Sequence, residues 1–310
     1  MTNLESFLGG VELAPPSGEA KLIWPDRIKH LSASALGMFR RCPEQFRHRY
    51  ILGEKEKPGE ALVIGSIFHE ALEFNWEQKV SSFVDRPLGE VVEYLGDVAV
   101  PKVLEEDGGV DNIAWDSGDP RKGELVARND SERLTAAYYK QVVPRLQPLS
   151  VESKFQVEDP GLPVPLIGYI DLQVGAMNEK DDLVPDRVID QKTGKQSASK
   201  MKPSWMLQSD IYCMATNLPV EYHSISRAKT PKITTGLESA DLINYPNTVR
   251  FQNVMGTAAM MAEQIAWMYT RYGPDETWPT TGKFADFSMS FTPCQMCGWR
   301  KVCPAWEGEV

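Results

Sequence analysis

The chain has 310 residues, 42% of them apolar and 25% charged, with a formal net charge of −10. That is enough to bury a large core as one domain or two, and no apolar run is long enough for a membrane-spanning helix. The acidic balance argues against a generic basic nucleic-acid coat but leaves room for a local basic cleft.

Residues 1–29 are rich in Gly and Pro without periodicity and are expected to form a tail or loose wrap. The opening "MTNLESFLGG" lacks a basic segment followed by an apolar one, so no secretory leader is expected. The ordered part starts at "LSASALGMFRRCPEQFRHRY". Ser32 or Ser34 can cap a helix carrying Leu36 and Phe39. Pro43 suits the first position of a second helix with Phe46 and Tyr50 on one side. Arg40, Arg41, Arg47, His48 and Arg49 form a basic run that either guides a nucleic-acid strand or is a solvated helix face.

"ALVIGSIFHEALEFNWEQ" sets Ile64, Ile67, Phe68, Ala71 and Leu72 at helical spacing, with His69 at the flank and Gly65 where a close backbone approach tolerates no side chain. A lone histidine there is either a metal ligand or a hydrogen-bonded core residue. Residues 105–130 read as a polar loop, and Ser131 to Leu146 as a helix. Val151, Ser153, Phe155 and Val157 alternate with polar residues as in a strand. After a Pro/Gly turn, Ile170, Leu172 and Val174 share one parity and Asp171 the other. "RVIDQKTGK" is a further strand with Val188, Asp190 and Lys192 on one face. "PSWMLQSDIYCMATN" predicts a helix, "EYHSISR" a strand, and Asn247 to Tyr272 a long helix. The order predicts an α/β (α+β) fold with a central mixed β-sheet flanked by helices.

Asp190-Gln191-Lys192 puts a carboxylate and an ammonium about 6–7 Å apart on one strand face. The carboxylate suits Mg²⁺ or Mn²⁺; the lysine suits a phosphate or an attacking water. A surface ion pair reads the same triplet without chemistry. Asp171 can reach the same place if the two strands pair, and Glu152 lies on the strand before it. Gln208 and Tyr212, four apart, share a helix face and could contact a substrate backbone or belong to the core.

The chain holds five cysteines, an odd and clustered set that suits a reducing, cytoplasmic compartment and metal ligation better than disulfides. Cys294, Cys297 and Cys303 stand as C-x2-C-x5-C. Cys213 sits mid-helix as a core residue, so Cys42 is the candidate fourth thiol. The set is compatible with zinc or an iron–sulfur cluster. Tying Cys42 to the tail would close a long loop, worth about 5 kcal/mol by chain entropy.

Taken in order, G-S-I-F-H, G-Y-I-D, V-I-D-Q-K-T-G and Q-x3-Y resemble the RecB-type nucleases of the PD-(D/E)xK superfamily, over about residues 31–306. The resemblance implies a restriction-endonuclease-like core over 30–290, with a segment 291–310 completing a cysteine site. It implies His69, Asp171, Asp190 and the Gln191 carbonyl as ligands of Mg²⁺ or Mn²⁺, Lys192 as the catalytic lysine, and Gln208 and Tyr212 as the Q-x3-Y pair. One cysteine before these motifs and three after them is similar to AddB-type nucleases and the CRISPR-associated RecB-like exonucleases. There, Cys42, Cys294, Cys297 and Cys303 would match the ligands of a [4Fe–4S] cluster. The implied activity is metal-dependent hydrolysis of DNA, most simply as an exonuclease in recombination, repair or CRISPR-type processing. The alternative is a DNA-binding or assembly protein on a degenerate nuclease fold. No helicase motif is present in the sequence, so unwinding would need a helicase or another recombination or adaptation partner.

Overall fold

A computed structural model describes residues 21–238, 247–280, 294 and 297–303. Helix α1 (Ala33–Arg41) is capped by Ser32, whose Oγ accepts from the Ala35 N–H at 3.2 Å. Cys42 is the extended joint between α1 and α2 (Pro43–Phe46), and Pro43 takes the first helical position. The chain then makes a π-turn, Arg47–Leu52, closed by Gly53 at φ +76°.

Three helices follow, α3 (Glu60–Ser82), α4 (Leu88–Tyr94) and α5 (Val100–Glu106). The next helix, α6 (Pro120–Gln141), begins 11 residues before Ser131. The reading of 105–130 as one loop is therefore corrected. Asp119 caps the Arg121 and Lys122 N–H groups and Pro120 starts the helix, a start signal that the polar composition hides.

Strands β1 (Gln147–Val157), β2 (Leu166–Met177) and β3 (Leu183–Gly194) form an antiparallel meander. Helix α7 (Pro203–Thr216) crosses over to β4 (Val220–Ser226), which pairs parallel to β3. An edge strand, β5 (Ile233–Glu238), closes the five-stranded mixed sheet in the order β1-β2-β3-β4-β5. The long helix α8 (Asn247–Tyr272) follows.

Helices cover both faces. One core gathers Leu36, Phe39 and Phe46 with Val188, Val220, Tyr222, Ile211, Cys213 and Ile265. The other gathers Ile64, Ile67, Phe68, Leu72 and Tyr138 with Leu172, Val174, Ile189 and Ile225. Ile170 shares parity with Leu172 and Val174, yet it packs in the first core and they pack in the second. Phe155 and Val151 divide the same way. The β1–β2 ribbon thus passes from one helical layer to the other at Asp171 and Glu152, and Glu152 has φ +44°, a left-handed conformation that a side chain rarely adopts. Strand periodicity alone cannot show such a crossing, because parity is unchanged through it.

Ahead of α1, Ile28 is buried and Trp24 bonds its carbonyl, so residues 21–29 lie against the first core.

Candidate metal and nuclease site

The layer crossing gathers the candidate residues. Strand register sets Leu172 opposite both Val151 and Ile189, which places Glu152, Asp171 and Asp190 side by side on neighbouring strands. Helix α3 brings His69 down onto them. Its approach depends on Gly65, one turn earlier: a Cβ there would stand 3.2 Å from Thr193 Oγ1 at the end of β3.

His69 Nε2 donates to the Gln191 carbonyl at 2.9 Å, and its Nδ1 lies 3.8 Å from Asp171 Oδ2. With the Nε2 proton given to that carbonyl, Nδ1 is the ring nitrogen that faces the carboxylate. The Gln191 N–H also reaches toward Asp171 Oδ2, at 3.5 Å. A ring nitrogen of His69 and one carboxylate oxygen each from Glu152 and Asp171 lie within 4.8 Å of one another. Three acceptors facing one another repel unless protons or a cation lie between them. An imidazole and hard carboxylate oxygens are donors that Mg²⁺ or Mn²⁺ accepts, so the residues fit the ion that the sequence motifs imply.

Asp190 is fully buried, and Lys192 Nζ stands 2.7 and 3.0 Å from its two carboxylate oxygens. The closer contact, to Oδ1, is an ion pair without hydrogen-bond direction, so that oxygen keeps an unused lone pair. Burial raises the Asp190 pKa, partly opposed by Lys192 and reinforced by Asp171. Burial works to lower the Lys192 pKa, but Asp190 and Asp171 outweigh it and hold the ammonium protonated. The Glu152 residue is exposed while its carboxylate turns inward; desolvation and the charges of Asp171 and Glu73 push it up to about 7. Glu152 therefore joins His69 and Asp171 more closely than its strand position suggested, while Asp190 is engaged by Lys192.

Gln208 and Tyr212 meet as their spacing requires, with the amide donating to the hydroxyl at 2.8 Å. Tyr212 is buried edge-on against Phe155, 5.9 Å between ring centres. Burial, then Asp171 and Asp190, raise its pKa, which places the hydroxyl within the field of the acidic pair. Gln208 stays partly exposed beside it.

Cys42, Cys294, Cys297 and Cys303 line one pocket, together with Gln45, His48 and Trp299. Burial raises the Cys297 pKa, and Glu56, Cys42 and Cys303 raise it further. The cavity floor is a buried polar mount. Glu44 accepts from Arg47 at 2.7 and 2.8 Å and from the Trp278 N–H at 2.8 Å, and His48 stacks on Trp299. Arg47 and His48 are thus buried and paired with Glu44 and Glu54. This corrects the reading of the whole basic run as a strand guide, since two of its five members face inward to hold this mount. Cys213 is fully buried in the first core, as its position in α7 predicts.

Sequence reasoning missed the partners behind β3. Tyr138, His223 and Glu221 sit close to Gln191; the available signal was "EYHSIS", a strand buried along its whole length that nonetheless carries a glutamate and a histidine.

The PD-(D/E)XK nuclease superfamily model matches residues 30–304, so the chain belongs to that superfamily. The mixed five-stranded sheet with helices on both faces is consistent with its nuclease core. Among solved structures, a protein from Eubacterium rectale named as a candidate exonuclease aligns with TM-score 0.45 and 12% identity, over 80% of this chain and 83% of that one. The protein SSO0001 aligns with TM-score 0.32 and 11% identity, over 80% of this chain and 96% of that one. No curated protein matches the chain. Among the described residues, no helix is long and apolar enough to cross a membrane.

Proposed function

We propose that this nuclease-superfamily member is a divalent-metal-dependent DNA exonuclease of the RecB type. The observation that carries the reading is the convergence of His69, Glu152 and Asp171 beside the buried Asp190–Lys192 pair. His69, Asp171, Asp190 and the Gln191 carbonyl would hold Mg²⁺ or Mn²⁺, with Glu152 as an added oxygen donor. When bound, such an ion supplies Lewis acidity toward a phosphoryl oxygen. Lys192 is the protonated cation next to the site; it binds the scissile phosphate and stabilises the charge that grows on it. Asp190 keeps that ammonium in place. Gln208 and Tyr212, bound to each other, offer a donor and acceptor to the DNA backbone on the same side of the sheet.

Cys42, Cys294, Cys297 and Cys303 are proposed to hold a [4Fe–4S] cluster that staples the C-terminal segment to the start of the fold. What supports a bound inorganic centre is that the four thiols line one pocket, and the sequence resemblance favours iron–sulfur over zinc there. Iron and zinc content of anaerobically purified protein, with its visible absorption, tests this: zinc without iron overturns the cluster.

DNA is the proposed partner, with unwinding supplied by a separate helicase or recombination or CRISPR-adaptation complex. The test of the activity is degradation of linear single- and double-stranded DNA with Mg²⁺ or Mn²⁺. Wild type is expected to degrade at least one, and Lys192→Ala to lose roughly 10²–10³-fold or more. Wild type that binds DNA and leaves it intact would overturn the reading in favour of a degenerate nuclease fold.

A further inference from the structure

Asp190 and Lys192 face one side of β3, so Gln191 between them faces the other. Its amide enters a buried polar chain that the site chemistry above does not use. Gln191 Nε2 lies 3.2 Å from Tyr138 Oη, and Tyr138 Oη lies 2.5 Å from His223 Nδ1. His223 Nε2 lies 2.9 Å from Glu221 Oε1. Glu221 is anchored by Arg187 at 2.7 Å and by the Gly236 N–H at 2.6 Å. Gln191, His223 and Glu221 are nearly or fully buried, and Tyr138 is fully so. The elements fit the chain: parallel register pairs Gln191 with His223 and Ile189 with Glu221, and α6 sets Tyr138 over them.

The donors run one way. Glu221 is an acceptor, so His223 Nε2 donates to it. The neutral ring then accepts at Nδ1, which takes the Tyr138 proton. Tyr138 Oη is left to accept from the Gln191 amide. Each of these named contacts has a donor and an acceptor in that single arrangement. A doubly protonated His223 would instead leave the Tyr138 hydroxyl proton without an acceptor on this path.

We propose that Tyr138 and His223 are positioning residues that hold the Asp190–Gln191–Lys192 peptide from behind. Through Gln191 they set the carbonyl that His69 contacts and the direction of the two charged side chains. The inference rests on the reading of the site as a metal centre. Partners behind a ligand typically change metal affinity or activity by about 10–100-fold when removed.

The experiment uses the full chain with Mn²⁺ as the probe. Tyr138→Phe keeps the ring against Phe68 and deletes the hydroxyl; Gln191→Met keeps the backbone carbonyl and removes the amide. Each is expected to weaken Mn²⁺ binding, measured by calorimetry, by about 10–100-fold. DNA cleavage should fall through kcat with KM for DNA unchanged. The double variant should cost no more than the larger single, as links of one chain do. Thr135→Val, one turn away on α6 at a buried hydroxyl without a hydrogen bond, should leave both readouts at wild-type level. Wild-type Mn²⁺ binding in both single variants, or losses that add in the double, would overturn the proposal. If Tyr138→Phe fails to fold, Gln191→Met decides by the same criterion. Wild type that binds no Mn²⁺ and cleaves no DNA would instead remove the metal-centre reading itself.

Discussion

Glu221 offers a quantitative test of the buried network as a source of stability. Its burial would raise its pKa, but the hydrogen bonds from His223, Arg187 and the Gly236 N–H bring it from 4.5 down to about 2. That difference corresponds to about 3 kcal/mol. The Arg187 side chain is 36% exposed, so solvent screens its share and about 2 kcal/mol is the fairer figure. Because the folded pKa lies below the unfolded one, the contribution is complete above about 4.5 and disappears as pH falls toward about 2. Urea unfolding of wild type and Glu221→Gln should be compared from neutral pH down to the acid limit. The gap between them should stay constant at neutral pH, at about 2 kcal/mol plus whatever the altered network costs at every pH, and narrow through the acid range. Carboxylates common to both proteins cancel in the difference. A gap that keeps the same size down to the lowest pH would refute the assignment of Glu221 as a charged acceptor in the folded state.

Three further outcomes are expected. Asp190→Asn should abolish cleavage and lower the melting temperature, because it leaves the Lys192 ammonium without its carboxylate partner; an unchanged melting temperature would count against this pairing. Gly65→Val should displace α3 at Thr193 and His69 with it, cutting cleavage by roughly 10²-fold for a modest change in stability; full activity would show that the close approach is not needed. Cys297→Ala should lower solubility and melting temperature by releasing a loop closure worth about 5 kcal/mol; unchanged melting with full activity would sink the staple.

The sequence by itself determined the elements that carry the site and named the candidate residues, though not the start of α6. The D-x-K strand, the histidine in the apolar helix, the Ser32 cap and the Cys42 joint are local or ordered signals, and local hydrogen bonds and side-chain parity suffice to read them. Tertiary structure decided what those residues face. Parity counts alternation along one strand and is blind to the crossing at Glu152 that moves Ile170 into a different core from Leu172. It is equally blind to the relay behind Gln191, whose members Tyr138 and His223 stand 53 and 32 positions away in the chain. Arg47 and His48 look like a basic surface in the linear sequence and become a buried mount because Glu44, Glu54, Trp278 and Trp299 arrive around them. A charge shows its sign in sequence, but its partner and its distance from water exist only once the chain has folded.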